Sequence, residues 1–279
     1  RYKEDIMTTI KAFIKRHPVP TYFALAFALS WGGILIMVGP DGIPATTDQV
    51  VVLGMAMLLG PSLASILLTG LASGRVGFRE LVSRLLRRRV GARWYAVALL
   101  TAPLSTAAVL LALSLFSPEF LPGIFTSDDK VTFLLMGIAA GLTVGFFEEL
   151  GWTGFAIPRL RLRYGVLTTG LIVGLLWGAW HFILFWESDS FSGALPLALL
   201  LARLFSWLPA YRVLMVWVYD RTESLLVAML MHVSLVATLM IIDPSLTGGS
   251  LLTFILVRAA VLWIFVAAVA VANRGQRSR

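Results

Sequence analysis

The chain contains no cysteine. That excludes disulfides, thiol nucleophiles, zinc fingers and iron–sulfur clusters. Charge is scarce as well: 14% of the 279 residues are Asp, Glu, Lys or Arg, against 58% hydrophobic residues and a mean hydropathy of +0.87. A water-soluble domain of this length needs far more polar surface, so the composition predicts a polytopic membrane protein. There are three histidines and no His-Glu-x-x-His, so the zincin helix motif is absent. No soluble domain, low-complexity tract or clear internal repeat is visible. The net charge of +8 sits in short loops beside apolar runs. Membrane orientation explains it better than a nucleic-acid partner, and none is expected. The first apolar run is full length with no small-residue cleavage site after it, so no cleavable signal peptide is expected.

Eight runs approach the ~20 residues that a bilayer requires: 19–39, 49–72, 94–116, 132–158, 166–186, 195–219, 224–242 and 251–272. The expected fold is therefore all-α, a bundle of about eight transmembrane helices. One membrane domain, 19–272, is flanked by a segment at 1–18 and a basic tail at 273–279. The connecting segments alternate in charge. Segments 1–18 and 73–93, the stretch with Arg159, Arg161 and Arg163, and the tail are basic. Segments 40–48 and 117–131, and those with Glu187, Asp189 and Asp243, are acidic. The positive-inside rule then puts both termini and the even-numbered loops in the cytoplasm of a multi-pass cell-membrane protein. Within 77–89, Phe78, Leu81, Val82, Leu85 and Leu86 share one helical face and arginines take the other. This reads either as an amphipathic helix on the anionic cytoplasmic leaflet or as a topology determinant alone.

An ionisable group inside an apolar span is costly and is a functional candidate by default. Glu148 and Glu149 end such a run; His181 and His232 lie inside two others, while His17 lies in the terminal segment. Adjacent helical residues point ~100° apart, so the two glutamates must do different jobs. Two carboxylates this close cannot both ionise cheaply in a low dielectric. A carboxyl that exchanges a proton near neutral pH suits general acid–base catalysis. The bland alternatives are a structural ion pair, or a proton relay in a transporter. Two histidines with a glutamate make a metal-ligand set, and also a general base with an oxyanion donor. A straight-helix count puts Glu148 ~16 Å, His232 ~13 Å and His181 ~25 Å from the cytoplasmic ends, a mismatch of about two turns.

The run Glu148-Glu149-x-x-Trp152-x-Gly154-Phe155-x-x-Pro158-x-Leu160, the block Trp177-Gly178-x-x-His181, and His232 on a later span resemble the CPBP family. These are also called Abi or CAAX prenyl endopeptidase-like intramembrane proteases. The resemblance covers about 130–240. It implies an eight-helix membrane endopeptidase that cleaves a membrane-proximal bond in a membrane-associated peptide or protein. By resemblance, Glu148 is the base helped by His181, Glu149 completes the catalytic set, and His232 binds the oxyanion. Both a metal-dependent and a metal-free mechanism are argued for the family. If metal-dependent, the ligands would be Glu148, His181 and His232, with zinc as the metal. Two positions depart from the family pattern: Thr153 stands where an arginine is usual, and Val236 where an asparagine is usual. Gly141, Gly145, Gly151 and Gly154 are expected to let helices approach closely around the site. Losing the motif arginine leaves Glu149 without a cation on its own helix. The sequence reading proposes Arg203 as the substitute, with Arg258 as runner-up. A non-catalytic scaffold or immunity protein of the same fold, and a proton-coupled transporter, remain the alternatives.

Overall fold

The computed structural model describes residues 11–39 and 47–277. Residues 1–10, most of the expected 40–48 loop and the last two residues of the tail lie outside them. The described residues form helices and no strand. The long ones are α1 (Pro18–Val38), α2 (Thr47–Leu85), α3 (Ala92–Ser114), α4 (Lys130–Glu149), α5 (Val166–Trp180), α6 (Ala194–Phe205), α7 (Leu208–Thr222), α8 (Leu225–Ile241) and α9 (Gly248–Arg277).

Six helical stretches among the described residues are long and apolar enough to cross a membrane, and α5 and α8 are shorter apolar helices. The protein is a multi-pass helical membrane protein, and about eight apolar segments match the expected ones in order. The differences lie in how they are joined. The second span and the amphipathic segment form one helical run, kinked at Gly74 with φ 56° and ψ −142°, a conformation that a residue with a Cβ adopts only under strain. Beyond that kink the segment is not simply laid on a lipid surface. Leu81 packs with Leu225 and Met229, while Val82 and Leu86 stay exposed. The expected sixth span, 195–219, is two helices broken at Ser206–Trp207. Pro209 begins the second half, where a missing N–H costs nothing. The carbonyl of Ser206 at the break accepts a hydrogen bond from Trp263 Nε1 at 2.8 Å.

Two glycine stripes set the packing. On α4, Gly137, Gly141 and Gly145 lie against Ile241, Val233 and Met229 of α8; a Cβ on Gly141 would fall 2.6 Å from the Val233 carbonyl. On α5, Gly170, Gly174 and Gly178 lie against Val213, Pro209 and Leu204. Apolar side chains gain little by leaving lipid for one another. Backbone approach through small residues is what gives such helices dispersion contact. The stripes thus fix α4 on α8 and α5 on α7, the four helices that carry the candidate groups.

Candidate active site

α4 ends at Glu149, and the chain then widens into a π turn over Trp152–Ala156 before a short helix at Ile157–Arg161. Pro158 explains the widening: it has no N–H to give, and its ring would crowd the carbonyl four residues back. Wide turns of this kind often mark functional sites. Gly151 is pressed on the Pro61 carbonyl, and Ser65 Oγ donates to the Leu150 carbonyl at 2.8 Å, so α2 holds the loosened turn. The span reaches Arg161 rather than 158. That deepens Glu148 by up to ~4.5 Å and removes part of the depth mismatch with His181.

Trp177 of α5 is the hub. Its Nε1 donates to Glu148 Oε2 at 2.7 Å. Its carbonyl takes the Nδ1–H of His181 at 2.8 Å. Its ring lies 5.3 Å from those of both His181 and His232, edge to face. The guanidinium of Arg212, on α7, sits 4.2 Å over the same indole, a cation–π distance. Glu148, His181 and His232 are therefore brought around one side chain, and Glu149 joins them through Arg212 and His232.

The two glutamates have different surroundings. Glu149 is fully buried and every partner is a donor. Arg212 Nη1 lies 2.8 Å from Oε1 and 3.0 Å from Oε2, His232 Nδ1 lies 2.7 Å from Oε1, and the Thr153 hydroxyl bonds Oε2. This is the arrangement an ionised carboxylate takes. Glu148 is held on one side only. Its Oε2 accepts from Trp152 Nε1 at 3.1 Å and from Trp177. Its Oε1 and the Nε2 of each histidine make no hydrogen bond among the described residues. His181 closes α5 as its C-terminal cap and is half-buried; His232 is 1% exposed.

Arg212 corrects the sequence reading. A cation from another helix does reach Glu149, but it is neither Arg203 nor Arg258. Arg203 bonds Glu187 at 2.7 Å, and Arg258 bonds Asp243. The signal for Arg212 was there: an arginine inside an apolar run costs roughly 2.5–3.5 kcal/mol on insertion scales unless something receives it. Reading 195–219 as one straight helix hid which face it would occupy. Ser234, near the departing Val236, donates to the Leu99 carbonyl at 2.7 Å and so ties α8 to α3.

Among the described residues, Glu148, His181 and His232 are not gathered into a cluster that could hold an ion, and no other three His, Cys, Asp or Glu are. Glu148 turns one oxygen to two indole N–H groups, and the positive Arg212 lies over the indole between them.

Residues 130–238 match a family model described as type II CAAX prenyl endopeptidase Rce1-like. Over these helices the chain is similar to that family. The matched segment runs from the start of α4 to the later part of α8, and so holds Glu148, Glu149, His181, Arg212 and His232 together. Among curated proteins, CAAX prenyl protease 2 of Methanococcus maripaludis is 25% identical over 176 residues, 60% of this chain and 57% of that protein. The chain thus spans little more than half the length of that relative. The Rce1-like match agrees with the CPBP resemblance of the motifs.

Proposed function

We propose that this protein hydrolyses a peptide bond of a membrane-associated protein, close to or within the bilayer, by a proton-transfer mechanism. The observation that carries the reading is the split between the adjacent glutamates. Glu149 is saturated by donors, while Glu148 keeps one oxygen without a hydrogen bond among the described residues and shares Trp177 with two histidines anchored through Nδ1. In the proposed step, Glu148 takes a proton from water. His181 Nε2 accepts a hydrogen bond from the water's other O–H, which stays on the oxygen, because its Nδ1–H is committed to a carbonyl that can only accept. The hydroxide adds to the scissile carbonyl. We assign His232 the imidazolium form, Nδ1–H to Glu149 and Nε2–H to the oxyanion. Collapse breaks the C–N bond, and Glu148 returns its proton to the leaving amine, giving a carboxylic acid and an amine; the acid's proton then passes to the amine, leaving a carboxylate and an ammonium. Glu149, Arg212 and Thr153 are positioning residues that fix the His232 ring.

The charged loops support cytoplasmic termini. Fusion reporters after residue 124 should read external, and those after 85 and 162 cytoplasmic.

The test of the reaction is cleavage of membrane-anchored peptides, prenylated and unprenylated, by purified protein in liposomes. Wild type should cut and Glu148→Gln should fall by at least ~10²-fold, the scale of a lost general base. Activity should survive exhaustive chelation with metal content checked. Binding without cleavage by wild type would overturn the reading. Loss on chelation with recovery on adding zinc would overturn the proton-transfer mechanism.

A further inference from the structure

A cavity of about 980 Å³ lies away from the Glu148 cluster. It opens between the end of α2, the short helix 157–161 and the turn from α7 to α8, and five arginines line it: Arg79, Arg84, Arg87, Arg159 and Arg161. Two of these are neutralised in place. Arg87 pairs with Glu223 at 2.5 Å, and Arg161 pairs with Asp220. The other three have no carboxylate within salt-bridge distance among the described residues. Arg84 spends Nε on the Glu80 carbonyl and Nη1 on the Tyr219 hydroxyl at 3.2 Å, which leaves Nη2. Arg159 gives Nη1 to the Phe155 carbonyl and lies 3.6 Å over the Phe155 ring, which leaves Nε and Nη2. Glu80 is the remaining acid in the wall. Three guanidiniums against one carboxylate leave the cavity short of negative charge.

An orientation signal alone requires basic residues in a loop, not arginines converging from separate elements on one space. Guanidinium forks match the oxygens of a phosphate, and the Ser83 hydroxyl in the same wall adds a donor. The wall also has apolar parts: Val76, just past the Gly74 kink of α2, and Leu162, at the end of the apolar span that carries Glu148, are 64% and 85% exposed. A ligand with phosphate at one end and hydrocarbon at the other satisfies both. We propose that this cavity binds a phosphate-bearing group, supplied by the headgroup of an anionic phospholipid. The site is separate from the Glu148 cluster but touches its support. Leu81, beside the arginines on α2, packs so closely on Gly154 of the π turn that a Cβ there would lie 2.9 Å away. An occupied cavity therefore braces α2 against the segment that follows Glu148 and Glu149.

The experiment needs no protease activity, so its outcome is independent of the function proposed above. The whole protein, purified in neutral detergent, is melted with added phosphatidylglycerol or phosphatidylcholine, and retained lipid is counted by native mass spectrometry. Phosphatidylglycerol alone should raise the melting temperature, by about 5 °C at saturating lipid. Arg79→Gln with Arg84→Gln, which breaks no ion pair, should remove at least half of that shift and the retained lipid. Arg88→Gln with Arg89→Gln, exposed arginines outside the cavity, should leave both in place. An equal response to the two lipids, an undiminished response in the first double variant, or an equal loss in the second would overturn the proposal. If glycerol 3-phosphate alone reproduced the full shift, the phosphate site would stand and the lipid source would be overturned.

Discussion

Arg203 and Arg212 flank the same helix break, and each pairs with a glutamate at nearly the same distance, 2.7 and 2.8 Å. Their surroundings differ. Glu187 of the first pair is 62% exposed and its arginine 26%, whereas Arg212 and Glu149 are both at 0%. In the outer pair water screens the attraction and solvates either group if the other is lost. In the inner pair water reaches neither group: without Arg212, Glu149 keeps only His232 and Thr153, and without Glu149, Arg212 keeps only the Trp177 face. Distance alone would rank the two as equals; desolvation separates them.

The largest expected effect is at the inner pair. Arg212→Ala leaves Glu149 buried without its permanent cation, with only His232 and Thr153 to hold it, and loss of one partner of such a pair costs ~3–5 kcal/mol. The variant should melt far below wild type and lose activity. Thr153 lies one helical turn from Glu149 and already touches it, so Thr153→Arg can return the charge from the neighbouring turn. Adding Thr153→Arg to Arg212→Ala should recover stability and part of the activity. A double variant no better than the single would mean that Arg212 matters for its packing on Trp177 rather than for its charge.

Next comes His232→Ala. It removes the proposed oxyanion donor and should lower kcat by ~10²–10³, with melting changed less than by Arg212→Ala. Full activity in this variant would remove His232 from the chemistry. It would leave the Glu149 cluster as a structural knot.

Arg203→Ala should be nearly silent, within ~0–1 kcal/mol in melting and unchanged in cleavage. A loss comparable to Arg212→Ala would break the comparison and restore the sequence-based choice of Arg203.

The smallest effect concerns Asp129, which caps α4 by accepting from Thr132 N at 3.0 Å. The hydrogen bond from Thr132 holds its carboxyl below the ordinary value. Its contribution is therefore present above the ordinary carboxylate range and is lost as pH falls through the lowered value. Melting followed from pH 6 to pH 3 should fall slightly less steeply in Asp129→Ala than in wild type. Identical curves would show that the exposed cap contributes nothing.

By itself the sequence determined the solvent, the helical class and the chemical groups. Fifty-eight per cent hydrophobic residues in runs of spanning length leave helices as the way to satisfy each backbone N–H and C=O in lipid. Glu148, Glu149, His181 and His232 were legible because an ionisable side chain in such a run needs a reason to be there. The same rule would have found Arg212. The tertiary structure alone decided which partner each group received. Pro158 and Pro209 stand at interruptions of these helices, but nothing in the sequence said that one would widen a turn beside Glu149 and the other would open the second half of 195–219. Nor could apolar periodicity say which face of α7 turns inward. Lipid is as apolar as the helix interior, so hydrophobic pattern does not distinguish them. The glycine stripes chose those faces through backbone contact, and contact across helices is a property of the folded chain.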